Sequence, residues 1–156
     1  MTKPGLLNII LRAGIMAGVL DIMAAIFLLA KGNALGTLKF IASGVFGKAA
    51  FEGGAGMVLL GAVFHFSIAL IFAAGYFMAY PQFPFLRKNK WINGIGFGLL
   101  VWSIMNLLVL PLSRAPQSPF AWQSALLNMA ILIVCIGMPV ALLADRFYST
   151  QTRENE

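Results

Sequence analysis

The sequence predicts an all-α membrane protein: four transmembrane helices in an antiparallel bundle, with a short amphipathic helix between the first and second. Three observations carry this. Four apolar stretches cover about residues 7–30, 56–80, 92–112 and 122–143, each near or above the roughly 20 residues that cross a hydrocarbon core. Hydrophobic residues make up 60% of the 156 and charged residues only 10%, far from the averages of soluble domains. The second stretch is apolar on its whole circumference, through residues 58–60, 62–64, 68–74 and 77–79. A soluble four-helix bundle would instead need a polar face on every helix. The length fits one domain.

The first stretch follows Lys3 and resembles a signal peptide in its charged start. It is longer than the roughly 7–15 apolar residues of such a leader, it contains Asp21, and no small-residue cleavage site follows Ala30. It reads as a retained first helix. Gly14, Gly18, Asp21 and Ala25 follow at steps that place them on one face. Small-x-x-x-small faces permit close helix contact in membranes, here expected against another helix of the same chain.

The first connection is long. Leu38, Ile41, Ala42, Val45, Phe46 and Ala49 recur at helical spacing, while Lys39, Ser43, Lys48 and Glu52 fall mostly elsewhere. An interfacial amphipathic helix is expected over about residues 37–51, stopped by Gly53-Gly54. Lys48 and Glu52 stand one turn apart as an interfacial pair, an arrangement that contributes little when exposed.

The second helix ends at Tyr76, Tyr80 and Pro81, and a turn over residues 81–90 leads to Trp91. Gly94, Gly96 and Gly98 lack the strand-turn-helix setting of a nucleotide fingerprint. Gly94-x-x-x-Gly98 reads as close helix packing. The third helix should end near Pro111. Pro139, with Gly137 nearby, predicts a kink in the fourth, and residues 146–156 read as a polar tail.

The net charge of +6 does not indicate nucleic acid, because the basic residues are dispersed at helix ends. Lys3, Arg87, Lys88, Lys90, Arg146 and Arg153 belong to the termini and second connection; Lys31, Lys39, Lys48 and Arg114 belong to the other two. The positive-inside rule then puts both termini in the cytoplasm, with Arg12 snorkelling to that interface.

Asp21, His65, Asn106 and Asn128 are the polar residues to explain. At a rise of 1.5 Å per residue they lie about 21, 22, 21 and 24 Å from the cytoplasmic end of their helices, one slab in the outer half. Gly61 and Ala69 flank His65 at one turn, and Ala17 and Ala25 flank Asp21, as at a helix–helix interface. A structural clamp of interhelical hydrogen bonds is the plain reading. The sharper one is a proton-responsive or ligand-binding site, since Asp and His can exchange protons near neutral pH once perturbed. Haem is a weaker option, because the single histidine offers one axial ligand. Cys135, the only cysteine, excludes an intrachain disulfide and reads as a packing residue. No metal-ligand spacing and no nucleophile–base constellation can be named, so neither enzymatic activity nor a cofactor is expected.

Several stretches resemble a group of small, uncharacterised bacterial four-helix integral membrane proteins. They are Phe40-Ile41-Ala42-Ser43-Gly44, Ala49-Ala50-Phe51-Glu52-Gly53-Gly54, His65-Phe66-x-Ile68-Ala69, Met105-Asn106-Leu107-x-Val109-Leu110-Pro111-Leu112-Ser113 and Cys135-x-Gly137-x-Pro139. Such relatives often carry a further histidine in the fourth helix, where this chain has Ala130-Ile131-Leu132-Ile133. The resemblance implies four membrane helices and a bacterial inner membrane, and no activity. The functional expectation is a non-enzymatic accessory or scaffold subunit of a membrane assembly, in contact with the lipid bilayer and with other membrane subunits or itself. The alternative is a small transporter or ligand-binding protein that uses Asp21 and His65.

Overall fold

Long apolar runs with few helix breakers give long helices. The computed structural model describes residues 5–117, 119 and 121–154; Lys3 and residues 155–156 of the expected tail lie outside them. The described residues are helical with no strand. Four helices are long and apolar enough to cross a membrane: α1 (Leu6–Leu29), α4 (Ala55–Ala79), α5 (Lys90–Leu112) and α6, whose apolar span is Trp122–Thr150. Between α1 and α4 stand α2 (Ala34–Phe46) and the single turn α3 (Ala49–Glu52). The expected amphipathic helix is therefore present but broken. Gly47 has φ +61°, a conformation that glycine adopts at no steric cost. Asn33 caps α2 by accepting from the Gly36 amide at 2.9 Å, and Asn89 caps α5 by accepting from the Trp91 and Ile92 amides.

The helices pack in the order α4–α1–α6–α5, with α2 laid along α4. α4 and α5 do not pack extensively on each other. Glycine sets the closest approaches. A Cβ on Gly18 would stand 2.9 Å from the Phe66 ring, and one on Gly98 or Gly137 would meet backbone of the opposite helix. Both glycine-x-x-x-glycine faces thus serve contacts within the chain. Gly61 does the same for α2, because a Cβ there would strike the Leu38 carbonyl.

Two prolines reshape the ladder: Pro139 lies inside α6, and Pro111 stands one residue before α5 ends at Leu112, as expected. Pro111 and Pro139 have no N–H to give the carbonyl four residues back. In each case the helix widens to π geometry just upstream, at Ile104–Val109 and Ile133–Gly137. The amides of Leu110 and Met138 bond five residues back, to Met105 and Ile133. A π segment stands where a kink was expected in the fourth helix.

The principal core lies at the end of the bundle where α4 meets α5 and the last turns of α6. Phe77, Val101, Val140, Ala141 and Ala144 are fully or almost fully buried there, against Ala13 and Ala17. The outward faces stay apolar: Leu59, Ile71, Leu107 and Leu112 are 66% to 77% exposed. A water-soluble bundle would not leave such surface uncovered on all sides.

The fourth helix runs past residue 143, where its apolar stretch was expected to end. Helix continues through Met138–Glu154, because Ala144, Phe147 and Tyr148 extend the apolar spacing past Leu143 and pack on the core.

Candidate functional site

Asp21 on α1 and His65 on α4 meet in the bundle interior, 14% and 11% exposed. Their contact is not a direct hydrogen bond. His65 Nε2 stands 2.8 Å from the Gly18 carbonyl oxygen and 4.0 Å from Asp21 Oδ2. A carbonyl only accepts, so Nε2 carries a proton and donates to it. Gly18 lacks a side chain, and that lets α4 come close enough for this bond. One glycine thus positions both the helix contact and the imidazole.

Asn106 on α5 and Asn128 on α6 form the second pair. Asn106 Nδ2 donates to Asn128 Oδ1 at 3.2 Å and to the Trp102 carbonyl at 3.0 Å. Asn106 sits within the π segment ahead of Pro111. Beside it, the buried Trp102 indole N–H has no hydrogen-bond partner among the described residues.

The four residues expected in one layer therefore come together two by two. α1 is tied to α4, and α5 to α6, and no hydrogen bond among the described residues joins the pairs. Lys48 and Glu52, the expected interfacial pair, do not come within 4 Å of each other. Lys39 Nζ instead donates to the Phe51 carbonyl at 3.0 Å, which ties α2 to α3 across Gly47.

A second polar group was not anticipated from the sequence. It lies where α4 ends, α5 begins and α6 passes. Tyr80 donates to Asp145 Oδ1 at 2.9 Å, and Lys90 Nζ stands 3.6 Å from Asp145 Oδ2. The Tyr80 and Tyr148 rings stack with centroids 5.0 Å apart, and Tyr148 donates to the Phe77 carbonyl. Burial, then the hydrogen bond to Asp145, hold the Tyr80 phenol above its ordinary range. Tyr80 and Asp145 each bordered an assigned helix end in sequence, which concealed their meeting. The one signal was the apolar spacing that continues through Tyr148.

An apolar recess of about 330 Å³ opens between α2, α4 and the end of α5. Phe40, Val45, Phe64, Ile68, Met105 and Leu110 are half of the residues that line it. It exists because α2 wedges against α4 and reaches α5 only at its end, where the Arg114 amide donates to the Gly44 carbonyl at 2.9 Å. None of Asp21, His65, Asn106 or Asn128 lines it. Among the described residues no three His, Cys, Asp or Glu side chains gather as a metal site would require.

The fold is an all-helical bundle with four helices long and apolar enough to cross a membrane, as in a multi-pass membrane protein. Compared with protein families, curated proteins and solved structures, the chain matches none. The resemblance drawn from its short apolar motifs gains no support from those comparisons.

Proposed function

We propose that this protein is a non-enzymatic accessory or scaffold subunit of a bacterial inner-membrane assembly, its four helices antiparallel and both termini cytoplasmic. One observation carries the reading. His65 is turned on the Gly18 carbonyl, Asn106 on Asn128 and on backbone, and none of Asp21, His65, Asn106 and Asn128 lines the recess. A site for a small ligand gathers a few polar groups around a cavity; here they join helices. Broad apolar faces remain for other membrane helices. The role is to present those faces in a fixed geometry.

Isolation of the intact protein in mild detergent tests this. A stoichiometric membrane-protein partner that survives purification is the expected result. A monodisperse particle holding a small molecule beside Asp21 would overturn it.

A second reading has one specific observation in its favour. The Asp21 carboxylate accepts no hydrogen bond among the described residues, although it faces His65 in the bundle interior. Intramembrane acids are costly and usually functional. A proton-responsive pair would make Asp21→Asn inactive yet stable, whereas the subunit reading makes the same change nearly silent in assembly.

A further inference from the structure

The recess is the one feature that neither the polar pairs nor the scaffold reading uses. Its wall is almost wholly apolar, and its volume of about 330 Å³ falls at the lower end of the roughly 300–1,000 Å³ of small-molecule sites. It is partly enclosed and not sealed. In a protein whose neighbours are acyl chains, a partly enclosed apolar slot fills with a chain.

The rim of the recess carries positive charge. Gly44, Ser113 and Ala115 border it, and Arg114 stands between the last two with its amide on the Gly44 carbonyl. A Cβ on Gly47 would be 3.7 Å from Arg114 Cβ, so the turn that carries Lys48, the next residue, lies beside Arg114. Both cationic side chains are exposed. Among the described residues neither has a carboxylate within 4 Å. Lys39 lies on α2 but is held by the Phe51 carbonyl. The two connections at this end contain Lys31, Lys39, Lys48 and Arg114 against a single acid, Glu52. An apolar slot with unpaired cations at its mouth has the polarity of a phospholipid: chain inside, phosphate at the rim.

We infer that the recess holds one acyl chain of an anionic glycerophospholipid, with its phosphate met by Arg114 and Lys48. The lipid fills the gap that α2 leaves between α4 and α5 and so braces the looser half of the bundle. The proposal is independent of which protein, if any, docks on the outer faces.

Native mass spectrometry on the purified full chain tests it, with phosphatidylglycerol and phosphatidylcholine of identical chains as probes. The unmodified protein should retain one lipid and prefer phosphatidylglycerol. Lys48→Gln with Arg114→Gln, both at exposed positions, should remove about fivefold of that preference per cation, on the order of 25-fold together. Binding through the chain alone should remain. Ser67→Trp, which projects a large ring into the recess, should abolish retention of both lipids. Equal affinity of the unmodified protein for the two lipids would overturn the proposal. So would full preference after both cations are neutralised, or unchanged retention in Ser67→Trp, which would mark the lipid as annular. A polypeptide crosslinked from a cysteine at Val45 would show that protein, not lipid, occupies the slot.

Discussion

His65 is the residue that ties α4 to α1, and its bond to the Gly18 carbonyl outweighs its approach to Asp21. Interhelical hydrogen bonds of this kind contribute about 0.6–2 kcal/mol. His65→Phe should therefore lower thermal stability in detergent by about that amount, and Asp21→Asn by less. A larger loss for Asp21→Asn than for His65→Phe would refute this ranking. Tyr80 and Asp145 give a second residue-scale prediction. A double-mutant cycle of Tyr80→Phe and Asp145→Asn should return a coupling of about 1 kcal/mol, the usual worth of one hydrogen bond. The 3.6 Å contact of Lys90 with Asp145 is 45% exposed on the lysine side, so Lys90→Gln should cost well under 1 kcal/mol. The raised Tyr80 phenol sets the sign of one pH effect. The folded state holds this proton more tightly than the unfolded chain does. The stability it confers is complete below an ordinary tyrosine pKa of 10.0 and is lost as pH rises through the higher folded value. Alkaline melts should show less of this loss in Tyr80→Phe.

At the scale of elements, two contacts decide how the bundle closes. α5 meets α6 through Gly98, where any Cβ would meet Ile133 backbone, whereas a Cβ on Gly96 meets nothing within 4 Å. Gly98→Ala should destabilise by about 1–3 kcal/mol through forced separation of the helices, and Gly96→Ala should not. Equal effects in thermal melts would show that the glycines act only through helix propensity. The α2 wedge supplies the other contact. A Cβ on Gly44 would lie 3.7 Å from Ser113 Cβ, within the roughly 3.5–4.5 Å span of a disulfide. Gly44→Cys with Ser113→Cys, in a Cys135→Ser background, should crosslink under mild oxidation. Failure of that bond to form would place α2 elsewhere.

For the whole molecule, the proposed orientation rests on Arg87, Lys88 and Lys90 in one short turn. That turn is ordered by its own bonds: Asn93 Nδ2 donates to the Leu86 carbonyl at 2.7 Å, and Arg87 to that of Pro81. Asn89 is spent as the α5 cap, so the reporter cysteine belongs at exposed Gln82. It should react with an impermeant reagent only after the inner membrane is opened. Labelling in intact spheroplasts would reverse the orientation. The two ends also differ in construction. One is closed by a continuous aromatic core and the Tyr80–Asp145 group. The other holds the wedge and the recess. Heating should therefore loosen the α2 half first, seen as earlier hydrogen exchange at residues 34–52 than at the buried turns of α4 and α6.

By itself the sequence determined the four long apolar helices, the helix between the first two, the closely packed glycine faces and the polar interior. These follow from composition and spacing within one segment, where each residue's own chemistry sets the outcome. It did not determine which polar residues pair. Depth along a helix is readable from a count of residues, but rotation and neighbour order are not, so four groups at one level resolved into two pairs only once α1, α4, α5 and α6 were packed. The extension of α6 was missed because polarity after Arg146 masked the apolar spacing of Ala144, Phe147 and Tyr148. The recess was beyond reach for a deeper reason. It is the space that α2 leaves where α4 and α5 stand apart, beyond their contact at Tyr76 and Phe97, and no residue encodes an absence of contact. Only the tertiary structure decides where a small bundle stays open, because that depends on how all its helices share one limited core.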